Sequence, residues 1–359
     1  MDVYDAQRLE RLLARLQELR LWRDASSRQI EPWEFTTPSG IAALLRVGDA
    51  WPATELSVRL KAAATVPEEW AGAPVELDLW LGGEGFLRLS TGLESGLDPF
   101  HHRFPVIGSA RGGERLEIEA EVVPKGPFGT HIAEPRVWWA WLVAPETEVR
   151  ALERDLTVLA EACAHLGDHE VVPHLLDIAE AALAELSASW PTATGTTLAR
   201  LSARFGNVPG NIWGLPPELH REAIDIVPLT VGLWSGPPAP PLLEPLPEEA
   251  RRAARRAQEL VRVRLAEIKE AYPPVGRLAL AGHAHLDLAW LWPVAETRRK
   301  GRRTFATVLG LMDRYPDFTF VQSSAQLYAW IEEDNPELFE RVRRRVAEGR
   351  WEPVGGTWV

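Results

Sequence analysis

His283-Ala-His285-Leu-Asp287-Leu-Ala-Trp290, entered from the apolar run Leu278-Ala-Leu-Ala281, is the stretch on which the fold reading turns. The apolar run reads as a buried strand. In an extended segment, side chains at i, i+2 and i+4 share a face. His283, His285 and Asp287 are therefore expected to point the same way at the strand's exit. Imidazoles and a carboxylate converging there would make a partial site for a divalent metal. The plainer alternative is that the histidines are satisfied polar residues under a loop.

Working outward from this stretch, the chain changes grammar at about residue 277. A helix is predicted over about 293–315, with Phe305, Val308, Leu309 and Met312 as its apolar stripe. Phe318-Thr-Phe-Val-Gln322 reads as a second strand. A helix pair follows, restarted by Asn335 as N-cap and Pro336 in the first turn and stopped at Gly349. Trp351-Glu-Pro-Val354 reads as a third strand. This β-α-β-α-β order predicts the opening of a parallel α/β sheet with right-handed crossovers. Ligands in such sheets bind at the carboxyl ends of the strands. There lie His285 and Asp287, then Ser323 and Ser324, then Gly355-Gly356.

Upstream, the patterns differ. Residues 4–24 read as a helix with a stripe of Leu9, Leu12, Leu13, Leu16 and Leu19. From about 45 to 146 the pattern is strand-like. Leu56–Leu60, Val75–Trp80, Leu116–Val122 and Val137–Leu142 are its strands, with turns such as Gly82-Gly83 and Gly112-Gly113 between them. Short strands separated by turns predict an antiparallel sandwich. Residues 147–270 turn helical. Leu152, Leu156, Leu159 and Ala160 mark one helix, and Val172, Leu175, Leu176 and Ile178 the next. Pro237-Pro-Ala-Pro-Pro241 reads as a stiff spacer. A helix over 247–271 opens with Pro247, and its Arg251, Arg252, Arg255 and Arg256, mixed with Glu248, Glu249 and Glu259, read as a solvated face.

The expected fold is thus multidomain α+β. An N-terminal helix and extended arm (1–44) precede a jelly-roll-like β-sandwich (45–146). A helical connecting region (147–275) carries a Pro-rich linker at 237–247. The first three strands and helices of a parallel α/β barrel occupy 276–359.

Composition narrows the function classes. A net charge of −12 over 359 residues argues against nucleic-acid or anionic-membrane partners. One cysteine, Cys163, excludes an internal disulfide and fits a reducing cytosol. The start of the chain shows no signal-peptide pattern, and no apolar run approaches the roughly 20 residues that span a bilayer. A cytoplasmic location is expected. Sixteen tryptophans favour sugar stacking slightly, although most are expected to be core anchors.

Three metal-hydrolase plans share parts of the motif. A metallo-β-lactamase-like HxHxDH would need a histidine where Leu288 stands. Amidohydrolase-type barrels use an HxH pair, which His283 and His285 satisfy. A third plan uses only His285 and Asp287. The wider context, Gly282-His-Ala-His-Leu-Asp-Leu-Ala-Trp-Leu-Trp-Pro-Val-Ala-Glu-Thr-Arg-Arg-Lys300, resembles the first catalytic strand and helix of glycoside hydrolase family 38, the class II α-mannosidases. The resemblance runs on through Gln322–Tyr328 and Glu348–Val359. The branch it resembles is the cytosolic and vacuolar type, which carries the same Trp-Leu-Trp-Pro run. More loosely, Val47–Trp51, Val66–Trp70, Gly83–Phe86 and the helical region from Glu148 are similar to that branch too.

The resemblance implies a retaining hydrolase of terminal α-mannosides. It implies a divalent ion, Zn2+ or in some members Co2+, held on the sugar O2 and O3. His285 and Asp287 inherit two ligand positions, Trp290 the aromatic beside the sugar, and His283 a supporting place behind the ligands. It places the nucleophile a few residues past the motif that ends at Val359, with the acid/base and the last histidine ligand further on. The expectation is therefore the N-terminal part of an α-mannosidase, inactive alone, with α-mannoside oligosaccharides as partners and a homo-oligomer possible. Two rivals remain: an amidohydrolase-type enzyme using His283 and His285, and a carbohydrate-binding scaffold with Trp80, Trp138 or Trp141 exposed.

Overall fold

A computed structural model describes residues 2–20, 22–126, 129–191, 245–273, 275–355 and 358. The Pro237–Pro241 spacer and most of the 237–247 linker lie outside the described residues, as do Gly356 and Val359. The described chain groups into two compact units that do not follow chain order. One holds 2–28, 143–191 and 245–277, the other 29–142 and 278–358.

The first unit is helical. Helices α1 (Val3–Arg20), α2 (Thr147–Leu166), α3 (Val172–Leu186) and α4 (Glu248–Ala271) share one core. The predicted stripes supply it: Leu12, Leu16 and Leu19 from α1, Leu152, Leu156 and Leu159 from α2, Leu175, Leu176 and Ile178 from α3. Leu13, assigned to the α1 stripe, is exposed instead. The α1 helix ends at Arg20, four residues before its predicted limit, and strand β1 (Asp24–Gln29) starts soon after. The arginines of α4 lie on an ion-paired surface. Arg251 meets Glu146 at 2.7 Å, Arg255 meets Glu148 at 2.6 Å and Arg256 meets Glu185 at 2.5 Å.

The second unit combines antiparallel sheets with a parallel one. Strands β2 (Trp33–Thr36), β3 (Ala42–Leu45), β4 (Val58–Thr65), β6 (Glu84–Leu89), β7 (Glu94–Leu97) and β9 (Arg115–Val123) form a six-stranded antiparallel sheet in the order β3-β2-β4-β9-β6-β7. Strands β5 (Val75–Trp80), β8 (Arg103–Ile107) and β10 (Trp139–Pro145) belong to a second sheet, with β5 between the other two. Residues 24–45, read from sequence as part of an extended arm, thus carry three strands. In β2 the alternation that makes this possible is two-fold: Trp33 and Phe35 are buried, Glu34 and Thr36 exposed.

Asp78 on β5 is a fully buried carboxylate. Its Oδ1 accepts hydrogen bonds from His102 Nδ1 and Trp139 Nε1, each at 2.7 Å. Burial pushes the Asp78 pKa up, but His102, Arg103 and the Trp139 indole outweigh it and hold the group below its ordinary value. A depressed carboxylate contributes stability above the unfolded value of about 3.9 and loses it as pH falls through the folded value. Asp78→Asn is therefore expected to lower the urea midpoint at pH 7 and to lower it much less near pH 3. Equal losses at both pH values would refute this.

The parallel part follows. Strands β11 (Gly282–His283), β12 (Phe320–Gln322) and β13 (Trp351–Pro353) lie in that order. Gly282 is opposite Phe320, and Phe320 opposite Trp351. Between them run α5 (Val294–Arg314), α6 (Ala325–Asp334) and α7 (Pro336–Ala347). Asn335 stands at the α7 N-cap without a side-chain capping bond, and Gly349, at φ 72°, ends that helix. One core unites these elements: Phe305, Leu309 and Met312 of α5 meet Phe320, Leu327, Leu338 and Trp351.

The predicted strand 278–281 is not buried. Leu278 is 82% exposed and Leu280 79%, and the ladder is confined to Gly282 and His283. The physical reason is position. β11 is the outer strand of its sheet, and no described element covers the apolar residues that lead into it.

The two parts of this unit are pinned by buried charge. Arg303 of α5 donates to Glu84 of β6 and to Glu296, both at 2.6 Å, and Lys300 reaches Glu84 at 2.5 Å. Thr307 Oγ1 accepts from Gly96 N at 2.9 Å. A Cβ on Gly96 would lie 3.1 Å from Arg303 Cβ, so the helix sits directly on strand β7.

Candidate functional site

The carboxyl ends of β11, β12 and β13 bring three segments together. From the first come the two histidines and Asp287. His283 lies on the strand, and its Nδ1 donates to the Val321 carbonyl of β12 at 2.9 Å. A carbonyl only accepts, so this bond places the proton on Nδ1 and leaves the Nε2 lone pair free in the neutral ring. Past His283 the chain leaves the ladder but keeps the two-residue alternation: Ala284, Leu286 and Leu288 pack against the core, while His283 and His285 are exposed. His285 and Asp287 turn toward each other, with Nε2 donating to Oδ1 at 3.1 Å. Their side chains are 82% and 35% exposed.

The alternation expected for this stretch is kept, but the three groups do not gather into one cluster. The structure pairs His285 with Asp287 and ties His283 to the neighbouring strand. Among the described residues no group of three or more His, Cys, Asp or Glu side chains is placed to hold a metal ion. The His285–Asp287 pair does fit two ligands of one ion. Bond lengths of about 2.0–2.2 Å put adjacent ligand atoms about 2.8–3.1 Å apart in an octahedral shell and about 3.3–3.6 Å apart in a tetrahedral one. One imidazole nitrogen and one carboxylate oxygen suit zinc and its first-row neighbours.

Three residues beyond Asp287 in the chain is Trp290, 57% exposed. Trp358 is also exposed, at 62%, whereas Trp22, Trp33, Trp51, Trp70, Trp80, Trp139, Trp190 and Trp351 are buried. An indole kept in water next to polar ligands is a platform on which a sugar ring can stack. The tryptophans on which a sugar-binding sandwich would depend are placed otherwise: Trp80 is fully buried, Trp138 and Trp141 half-buried.

The other two strand ends carry distorted backbone. Ser324 has φ 70° and ψ 90° and is the only non-glycine residue with positive φ among the described residues. Such a conformation costs about 1–3 kcal/mol and persists where the surroundings enforce it. Gly355 also has positive φ, and a Cβ there would lie 3.9 Å from Ser323 Cβ. Beneath them Trp351 Nε1 donates to the Tyr328 hydroxyl at 2.9 Å, which donates to the Gln322 carbonyl at 3.0 Å. Burial raises the Tyr328 phenol to about 12 despite the Trp351 bond, so it stays protonated and keeps donating.

Sequence reasoning missed the residues that hold the loop after Asp287. Trp292 Nε1 donates to Thr297 Oγ1 at 3.0 Å, and Thr297 Oγ1 donates to the Leu288 carbonyl at 2.9 Å. The only signal was a threonine, a helix-neutral residue, in the first turn of α5.

Residues 276–359 match the family described as Glycosyl hydrolases family 38 N-terminal domain. The family match is confined to this segment. Alpha-mannosidase G of Dictyostelium discoideum is 48% identical over 83 residues, 23% of this chain and 8% of that relative. An alpha-mannosidase of Saccharomyces cerevisiae is 48% identical over 79 residues, 22% of this chain and 7% of its own length. Alpha-mannosidase 2C1 of Homo sapiens is 47% identical over 78 residues, 22% and 8% of the two chains. The matched stretch thus spans under a tenth of each of these relatives. A solved structure of carbohydrate-binding module and INT domains from Clostridium perfringens ZmpB covers 43% of this chain and 40% of its own. Its TM-score of 0.12 and 9% identity carry no argument. No helix of the described residues is long and apolar enough to cross a membrane.

Proposed function

We propose that the family 38 segment is the opening of the catalytic α/β barrel of a retaining, metal-dependent α-mannosidase acting on terminal α-mannosides. The observation that supports it most is the His285–Asp287 pair, followed three residues later by an exposed Trp290, just past the carboxyl end of the first of three parallel strands in a segment that matches family 38. In this reading His285 Nε2 and Asp287 Oδ1 are two ligands of a Zn2+ or Co2+ ion, and Trp290 stacks on the sugar. His283 stands behind them, fixed in orientation by its bond to Val321. The bound ion would supply Lewis acidity toward the sugar hydroxyls and fix the ring. A retaining mechanism needs two carboxylates about 5–5.5 Å apart. Asp287 is committed to the metal, and neither catalytic carboxylate is assigned to a residue of this chain.

Metal titration of the purified 359-residue chain tests this. Two protein ligands leave the ion largely to water, so weak binding is expected. His285→Ala and Asp287→Ala should each remove it, whereas His283→Ala should weaken it by about 10-fold, as for a residue supporting a ligand. If His283→Ala is as damaging as His285→Ala and Asp287→Ala is harmless, the amidohydrolase-type plan replaces this one. On an aryl α-mannoside the same chain should show no turnover above its His285→Ala variant. Activity above that control would overturn the assignment of the catalytic carboxylates elsewhere.

A further inference from the structure

We propose that Thr297 is the positioning residue of the Asp287–Trp292 loop, one hydroxyl that holds both the candidate ligand Asp287 and the candidate sugar platform Trp290 in place. The inference rests on the function proposed above for those two residues. Its geometry does not.

Thr297 lies in the first turn of α5 and is fully buried. Its Oγ1 is used in both directions. It donates to the carbonyl of Leu288, the residue next to Asp287, and accepts the indole N–H of Trp292. The two anchored positions flank Trp290, so the loop is closed by one oxygen at both ends of its exposed part. Leu288 packs against the core of α5, β12 and β13. The Trp292 ring is itself confined. Lys300 Nζ lies 4.9 Å from its centroid, and a Cβ on Gly129 would come within 3.1 Å of Trp292 Cε3. Lys300 is in turn fixed by Glu84 of the antiparallel sheet at 2.5 Å. The loop thus has a rigid floor and a side wall, while the Trp290 side chain is left in solvent. Trp290 makes none of these bonds and stays in solvent.

Valine matches threonine in shape but removes both bonds. It would leave the Leu288 carbonyl and the Trp292 N–H without their partner, and local opening of the loop becomes easier. Serine retains the hydroxyl. Trp292→Phe removes one bond and keeps most of the ring.

The test is amide hydrogen exchange by mass spectrometry on the full 359-residue chain, with and without Zn2+. In Thr297→Val, amides of 285–292 should exchange about tenfold faster, while those of 300–314 in α5 keep the wild-type rate. Thr297→Ser should restore slow exchange, and Trp292→Phe should give an intermediate rise. Unchanged exchange at 285–292 in Thr297→Val, or equal acceleration through α5, overturns the proposal. The zinc arm judges the underlying reading separately. Zn2+ should slow exchange at 285–292 in the wild type but not in His285→Ala, and Thr297→Val should need about tenfold more zinc for the same protection. If zinc slows neither, the metal reading fails, and the zinc-free rates still decide whether Thr297 pins the loop.

Discussion

Glu296→Ala is expected to destabilise the unit that contains it by about 3–5 kcal/mol, the cost of removing one partner from a buried ion-pair network. Glu296 is almost completely buried and accepts from Arg303 at 2.6 Å and from Arg299 at 2.9 Å. Burial pushes its pKa up, yet the two guanidiniums hold it below the usual range, so it stays charged near neutral pH. With alanine in its place, Arg303 shares Glu84 with Lys300 and keeps one carboxylate where it had two. The paired variant Glu296→Leu with Arg303→Met should recover much of the loss, because it removes the buried guanidinium that had lost a carboxylate and leaves Glu84 paired with Lys300. Urea unfolding followed by circular dichroism reads both. A loss under about 1 kcal/mol for Glu296→Ala would place the network among the weak surface pairs.

The second large effect is expected at Trp351. Its ring lies 4.9 Å from Phe305 and 4.8 Å from Phe320, edge-on to both, and its N–H donates to Tyr328. Trp351→Ala should cost about 3–5 kcal/mol through the cavity it leaves. Trp351→Phe should cost far less, since it keeps most of the aromatic volume. The urea midpoint measures this too, and similar losses for the two variants would show that the indole N–H, not the ring, holds β13 against the helices.

The parallel segment was legible in the sequence because its signals are local. The stripe of Phe305, Val308, Leu309 and Met312 has the helical period, Pro336 opens α7, and α5 begins one residue from its predicted start. What escaped was decided by partners far away in the chain. Glu84 sits at a buried position of β6, where a charge argues against a strand. Its cations, Lys300 and Arg303, are 216 and 219 residues distant. No strand is predicted from the sequence where β6 and β7 lie. Leu278 and Leu280 failed in the opposite sense, since apolar character announces a demand for burial but not that a partner is present. At the site, His285 and Asp287 do meet. The alternation holds past the end of β11, with Ala284, Leu286 and Leu288 on the core and His283 and His285 exposed; what it does not announce is the bond from His283 to Val321 on the neighbouring strand.

Gly96 works as a spacing gauge. With no side chain between strand and helix, the stand-off of α5 is set by the thickness of bare backbone against Arg303 Cβ and Thr307 Oγ1, both 3.1 Å from where a Cβ would begin. A single methyl there would act as a shim. It would tilt the far end of the same helix, and with it the turn bearing Thr297. A strand that contributes no atom to the candidate site would then govern the angle at which that site faces solvent.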